Sequence, residues 1–113
     1  MRVVVRMVLG AILLTAPHGT VTHAAQRTHG EVWSEVKCQR YSKAWKAALV
    51  HYGSAGLGTE FLARHAEFLA SGCRTKADVC ARSREEIRLA NVMVVLAMNA
   101  GTASTFPPFY CRN

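Results

Sequence analysis

From residue 38 to residue 69 the apolar positions fall on a helical period. Cys38, Tyr41, Trp45, Ala48, Leu49 and Tyr52 recur at steps of three and four, a single stripe on a 3.6-residue repeat. This predicts a first helix from near Val32, stopped by Gly53. The segment SAGLG at 54–58 reads as a flexible connection, and Thr59 is placed to accept hydrogen bonds from the free amides of a second helix. There Phe61, Leu62, His65, Phe68 and Leu69 share one face, closed by Gly72. Ser83 followed by Glu86 is a capping box and opens a third helix.

That third helix breaks the amphipathic pattern. From Leu89 to Met98 nearly every residue is apolar, with Asn91 the interruption. A helix apolar on all sides has to be covered on all sides, and ten residues are too few to span a bilayer, so protein must supply the cover. The chain ends in TFPPFYCRN, whose Phe106, Phe109 and Tyr110 are unlike an ordinary fraying terminus. Pro107 and Pro108 favour an extended backbone that cannot prolong a helix. The expectation is a strap over 102–111 that folds back with its rings against the third helix. A helix of ~16 residues spans ~24 Å, and a dozen extended residues cover up to ~36 Å, so the strap can reach.

The front of the chain sets the compartment. Arg2 and Arg6 precede an apolar run from Met7 to Leu14, followed by Pro17, Gly19 and small residues, the layout of a secretory signal peptide. Thr22 and Ala24 place the cut after Ala24. The run falls short of the ~20 apolar residues of a membrane anchor. The predicted organisation is therefore a signal peptide at 1–24, a flexible lead-in at 25–31 and one helical domain at 32–113, exported to a periplasmic or extracellular space.

Export changes the reading of the cysteines. In an oxidising compartment Cys38, Cys73, Cys80 and Cys111 read as two disulfides, and a domain this small needs such help because its core alone is marginal. Four cysteines can also hold zinc, but these lack paired CxxC knuckles. A hairpin turning at 53–58 sets Cys38 beside Cys73, leaving Cys80 with Cys111. The rival pairing, Cys73 with Cys80 and Cys38 with Cys111, stays open because an eight-residue loop closes easily. The expected fold class is all-α, a small three-helix domain stapled by two disulfides with an extended C-terminal strap.

Chemistry is sparse. Asp78 is the single aspartate, which removes aspartate dyads, and the six glutamates fall where helix surfaces and first turns favour acids. His29 lies in the lead-in, and His51 faces Glu60 across the expected hairpin. His65 sits on an apolar helix face, where it reads as a base, a ligand or a core histidine with one hydrogen bond. Ser104 and Thr105 lack an identifiable base. Met93 and Met98 read as core rather than copper ligands. No catalytic, metal or cofactor site is assigned.

The full chain carries a net charge of +7, of which two positive charges belong to the leader. Lys37, Arg40, Lys43 and Lys46 decorate the first helix, and Arg74, Lys76, Arg82, Arg84 and Arg88 gather around the second loop. Nucleic acid is the common partner of such a surface, but an exported chain rarely meets it. The functional expectation is a small binding or inhibitory module of the bacterial cell envelope, a monomer or small homo-oligomer, engaging a protein or an anionic envelope component. The binding candidates are Trp33, Lys37, Arg40 and His65. The alternatives are a small periplasmic hydrolase working through His65 or Ser104 and a basic factor that associates with membrane or envelope.

Overall fold

The computed structural model describes Gly19 and residues 28–113. The predicted leader and its cut lie outside the described residues apart from Gly19, as do residues 25–27 of the lead-in. Three helices make up the regular structure of the described residues: α1 (His29–Tyr52), α2 (Thr59–Ala70) and α3 (Arg84–Asn99).

Helix α1 starts at His29, three residues before the expected Val32, because a capping box precedes it. The Glu31 amide donates to Thr28 Oγ1 at 3.3 Å, and Glu31 Oε2 accepts from the Thr28 amide at 3.0 Å. Two orphan amides of the first turn are thereby satisfied, and residues 29–31 of the expected lead-in are helix instead. Gly53 ends α1 with φ 77°, donating to the Leu49 carbonyl at 2.9 Å. Helix α2 also differs in detail: its N-cap is Gly58, with no side-chain cap, and Thr59 is already the first helical residue. The capping box expected at α3 is present, with the Glu86 amide donating to Ser83 Oγ at 3.0 Å and Glu86 Oε1 accepting from the Ser83 amide at 3.2 Å.

Both disulfides have the pairing that the hairpin geometry favours. Cys38 joins Cys73 with Cα atoms 5.5 Å apart, and Cys80 joins Cys111 at 4.5 Å. All four cysteines are consumed, so none is left as a thiolate ligand for zinc.

Helices α1 and α3 are the closest pair and run antiparallel, with Arg40 bonded to the Ala100 carbonyl at one end and Arg88 over the Tyr52 ring at the other. Between α1 and α2 stands a layer of rings. Tyr41 and Trp45 from α1 meet Phe61, His65 and Phe68 from α2, and Leu89, Met93 and Ala97 of α3 complete the core.

The C-terminal segment closes this layer, although not where the sequence pattern placed it. Phe106 packs edge-on to Tyr41 and Phe68, and Phe109 stacks on Phe61 and His65. The rings of the tail thus cover the α1–α2 seam rather than α3. The tail is held by a parallel bridge, in which the Val79 amide donates to the Pro108 carbonyl at 3.0 Å and the Tyr110 amide to the Val79 carbonyl at 3.1 Å.

With the tail spent on the other helices, α3 is not covered all round. Its buried face carries Glu86, Leu89, Ala90, Met93 and Ala97, but Ile87, Val95 and Met98 are about half exposed at 47%, 57% and 52%. The expectation of a rod wrapped on every side over residues 89–98 is therefore incorrect at Val95 and Met98.

Candidate functional site

The four residues that the sequence nominated for binding do not form one surface. His65 is wholly buried. Its ring stacks on Trp45 with centroids 3.6 Å apart, and Nε2 lies 2.8 Å from the Tyr41 hydroxyl. With Tyr41 as the donor the ring proton sits on Nδ1, which has no partner among the described residues. Burial pushes the His65 pKa from 6.5 down to about 4 and pushes the Tyr41 hydroxyl up, so the ring stays neutral and the phenol protonated near neutral pH. His65 is a core residue, closed off from any partner at the surface.

Trp33, Lys37 and Arg40 do come together, but their cationic groups face the molecule's own rings. Lys37 Nζ sits 5.3 Å from the centre of the Phe106 ring, and the Arg40 guanidinium 5.4 Å from that of Trp33. Arg40 also donates to the Ala100 carbonyl at 3.0 Å. A cation over an aromatic face gains ~0.5–1 kcal/mol at exposed sites. These residues fasten the end of α3 and the returning tail to α1.

The remaining chemistry is dispersed. Asp78 pairs with Arg64 at 3.5 Å, and His51 sits edge-on to Tyr52 instead of pairing with Glu60. Ser104 is exposed and makes no hydrogen bond to a histidine or carboxylate among the described residues. Within the same residues no group of three or more His, Cys, Asp or Glu gathers as a metal site.

What opens to solvent is a groove between α1 and the end of α2, with a volume of about 760 Å³. Local backbone geometry builds it. Gly72 and Cys73 both take positive φ, 73° and 60°, which turns the chain back after α2 so that Cys73 reaches Cys38. For Cys73 that conformation costs roughly 1–2 kcal/mol, and the covalent link holds it there. The Ser71 hydroxyl fixes the same turn, donating to the Phe68 carbonyl at 2.7 Å and accepting from the Arg74 and Thr75 amides at 3.0 and 3.1 Å.

The walls of the groove carry Lys43, Lys46 and Arg74, with Cys38 and Leu69 among its other lining residues. None of the three cations forms an ion pair among the described residues. Gln39 and Ser42 add uncharged hydrogen-bonding groups. Glu35 also lines it and is engaged in an interaction of its own. In the sequence these bases belong to a general positive surface; the signal that separates them is helical spacing, since 39, 42, 43 and 46 share a face of α1 that 33, 37 and 40 do not.

The chain matches no protein family model, no curated protein and no solved structure.

Proposed function

We propose that the protein is a small binding or inhibitory module of the cell envelope, exported and then oxidised, and that it holds an acidic segment of a partner protein in the α1–α2 groove. One observation carries this reading: Lys43, Lys46 and Arg74, three cations with no ion pair among the described residues, converge on a groove whose two walls are cross-linked by the Cys38–Cys73 disulfide. Fixing the walls before binding lowers the ordering cost of association. A carboxylate-bearing strand entering the groove meets positive charge on both sides, which steers encounter and disfavours basic competitors. The two disulfides are consistent with an oxidising compartment.

The test compares the native oxidised protein with the triple variant Lys43→Glu/Lys46→Glu/Arg74→Glu as baits in envelope extract. All three side chains are exposed, so the variant keeps its helices by circular dichroism. The wild type is expected to retain one stoichiometric protein, with recovery falling at least about tenfold in the variant and declining steadily as salt is raised. Equal recovery by both baits, or retention of anionic vesicles in place of a protein, overturns the proposal.

A further inference from the structure

The two disulfides follow one another along the chain, 38 with 73 and 80 with 111, and do not interleave. Between them runs a short loop, RTKADV at 74–79, in which Arg74, Thr75, Lys76 and Ala77 are exposed. Both of its ends are held. At the start Cys73 is bonded to α1, and the Ser71 hydroxyl accepts from the Arg74 and Thr75 amides at 3.0 and 3.1 Å. At the end Arg64 donates to Asp78 at 3.5 Å, Val79 is bridged to the tail, and Cys80 is bonded to Cys111. Lys76 and Ala77 lie between these anchors, and their amides and carbonyls make no hydrogen bond among the described residues. The Lys76 ammonium has no ion pair among the same residues. No residue from 74 to 79 has positive φ, so the loop can be drawn out as an extended segment without left-handed strain.

The geometry points to residues 74–78 as a substrate-like inhibitory loop for a serine protease that cleaves after lysine or arginine, with Lys76 in the protease's specificity pocket. A carboxylate at the base of such a pocket selects a long cationic side chain, and Lys76 enters it without giving up an ion pair of its own. The open amides and carbonyls of Lys76 and Ala77 are groups that a cleft binding an extended chain pairs by main-chain hydrogen bonds. Because both ends of the loop are fixed beforehand, little freedom is lost on binding. Lys76 does not line the α1–α2 groove, so the loop is a second site and does not rest on the reading of the first.

Cleavage separates a held loop from an ordinary substrate. Attack of the protease's serine hydroxyl on the Lys76 carbonyl forms an ester and breaks the Lys76–Ala77 bond, and the hydroxyl proton leaves with the Ala77 amine. From a flexible substrate that amine diffuses away. Here the piece that bears it stays in place, because Phe109 stacks on Phe61 and His65, Phe106 packs on Tyr41 and Phe68, and Leu89, Met93 and Ala97 lie in the same core. The amine remains beside the ester at high effective concentration, attacks it, re-forms the peptide bond and returns the proton to the serine. Neither disulfide spans the cut, so the shared core carries this retention.

Inhibition of trypsin by the oxidised chain, followed with a small chromogenic lysine substrate, tests the inference, with chymotrypsin as the control. Trypsin activity is expected to fall close to zero at about twofold molar excess and to stay there for hours, while chymotrypsin keeps its activity. Lys76→Asp weakens inhibition about 100-fold or more, because it sets carboxylate against carboxylate in the pocket, and Lys76→Arg keeps it within about tenfold. Lys76→Leu transfers inhibition to chymotrypsin, whose pocket is apolar. Mass spectrometry of the acid-quenched complex shows the intact chain together with one cut form, severed between 76 and 77. Position 76 is exposed, and an unchanged helical spectrum confirms that each variant folds. No inhibition of trypsin at about 100 µM, inhibition that fades as the chain is digested, a Lys76→Asp variant as potent as the wild type, or a first cut elsewhere overturns the proposal.

Discussion

His65 lies between Trp45 and Phe109, with one nitrogen on the Tyr41 hydroxyl and the other without a partner among the described residues, and this arrangement ties stability to acidity. An unfolded chain protonates this histidine near pH 6.5, whereas the folded chain does so only near pH 4. Between those values the unfolded state binds more protons, so stability is full above about pH 6.5 and falls as pH drops towards 4. The slope is ~1.4 kcal/mol per pH unit, roughly 3 kcal/mol over the window. Urea unfolding at pH 7 and pH 4, on the wild type and on His65→Phe, reads this directly. The wild type should lose more stability than the variant, and equal losses would remove His65 as the cause. The reading of His65 as a core histidine with one hydrogen bond was available from its place on an apolar face, but its aromatic enclosure was not. Trp45 and Phe109 are distant in sequence, and no local spacing predicts that they converge on one ring.

At the scale of elements, the entrance of α3 does more than start a helix. Ser83 Oγ accepts from the Glu86 amide and also donates to the Gly56 carbonyl at 2.7 Å, so the cap ties α3 to the α1–α2 connection. Gly56 has φ 79°, a conformation that favours glycine, and a Cβ there would come within 2.6 Å of the Glu85 side chain, which would have to move aside. Ser83→Ala should cost about 1–2 kcal/mol, the upper part of the usual range for a lost cap, because the Gly56 carbonyl loses its donor as well. Thermal melts would show a loss of that size, and a change below ~0.5 kcal/mol would mean that water replaces the hydroxyl in both bonds. The three helices were legible because periodicity, Gly53 and the Ser83–Glu86 pair agree with one another. The start of α1 was not. Thr28 and Glu31 have capping-box spacing, but they lie within a polar stretch with Gly30 between them, and apolar periodicity is silent there.

For the molecule as a whole the disulfides decide whether the arrangement survives. Each closes a loop of thirty-odd residues, Cys38–Cys73 with a separation of 35 and Cys80–Cys111 with 31. In the chain-entropy model such a loop is worth roughly 3 to 4 kcal/mol, comparable with the total stability of a small domain. Replacing Cys80 and Cys111 together by serine should therefore lower the unfolding midpoint by more than about 10 °C, and calorimetry with and without reductant checks it. An unchanged midpoint would mean that the rings of the tail hold it alone. The pairing could be inferred from hairpin geometry, but the groove could not. Which basic residues remain free depends on which ones settle over Phe106 and Trp33, and that is set by tertiary contacts between distant segments.

The Val79–Phe109 bridge has a further consequence, for the order in which the protein is made. Phe106, Pro108, Phe109 and Cys111 complete contacts with α1, α2 and the segment before α3, and all four are translated after every helix they serve. A nascent chain whose helices have already emerged from the ribosome cannot assemble that interior while its closing piece is still in the exit tunnel.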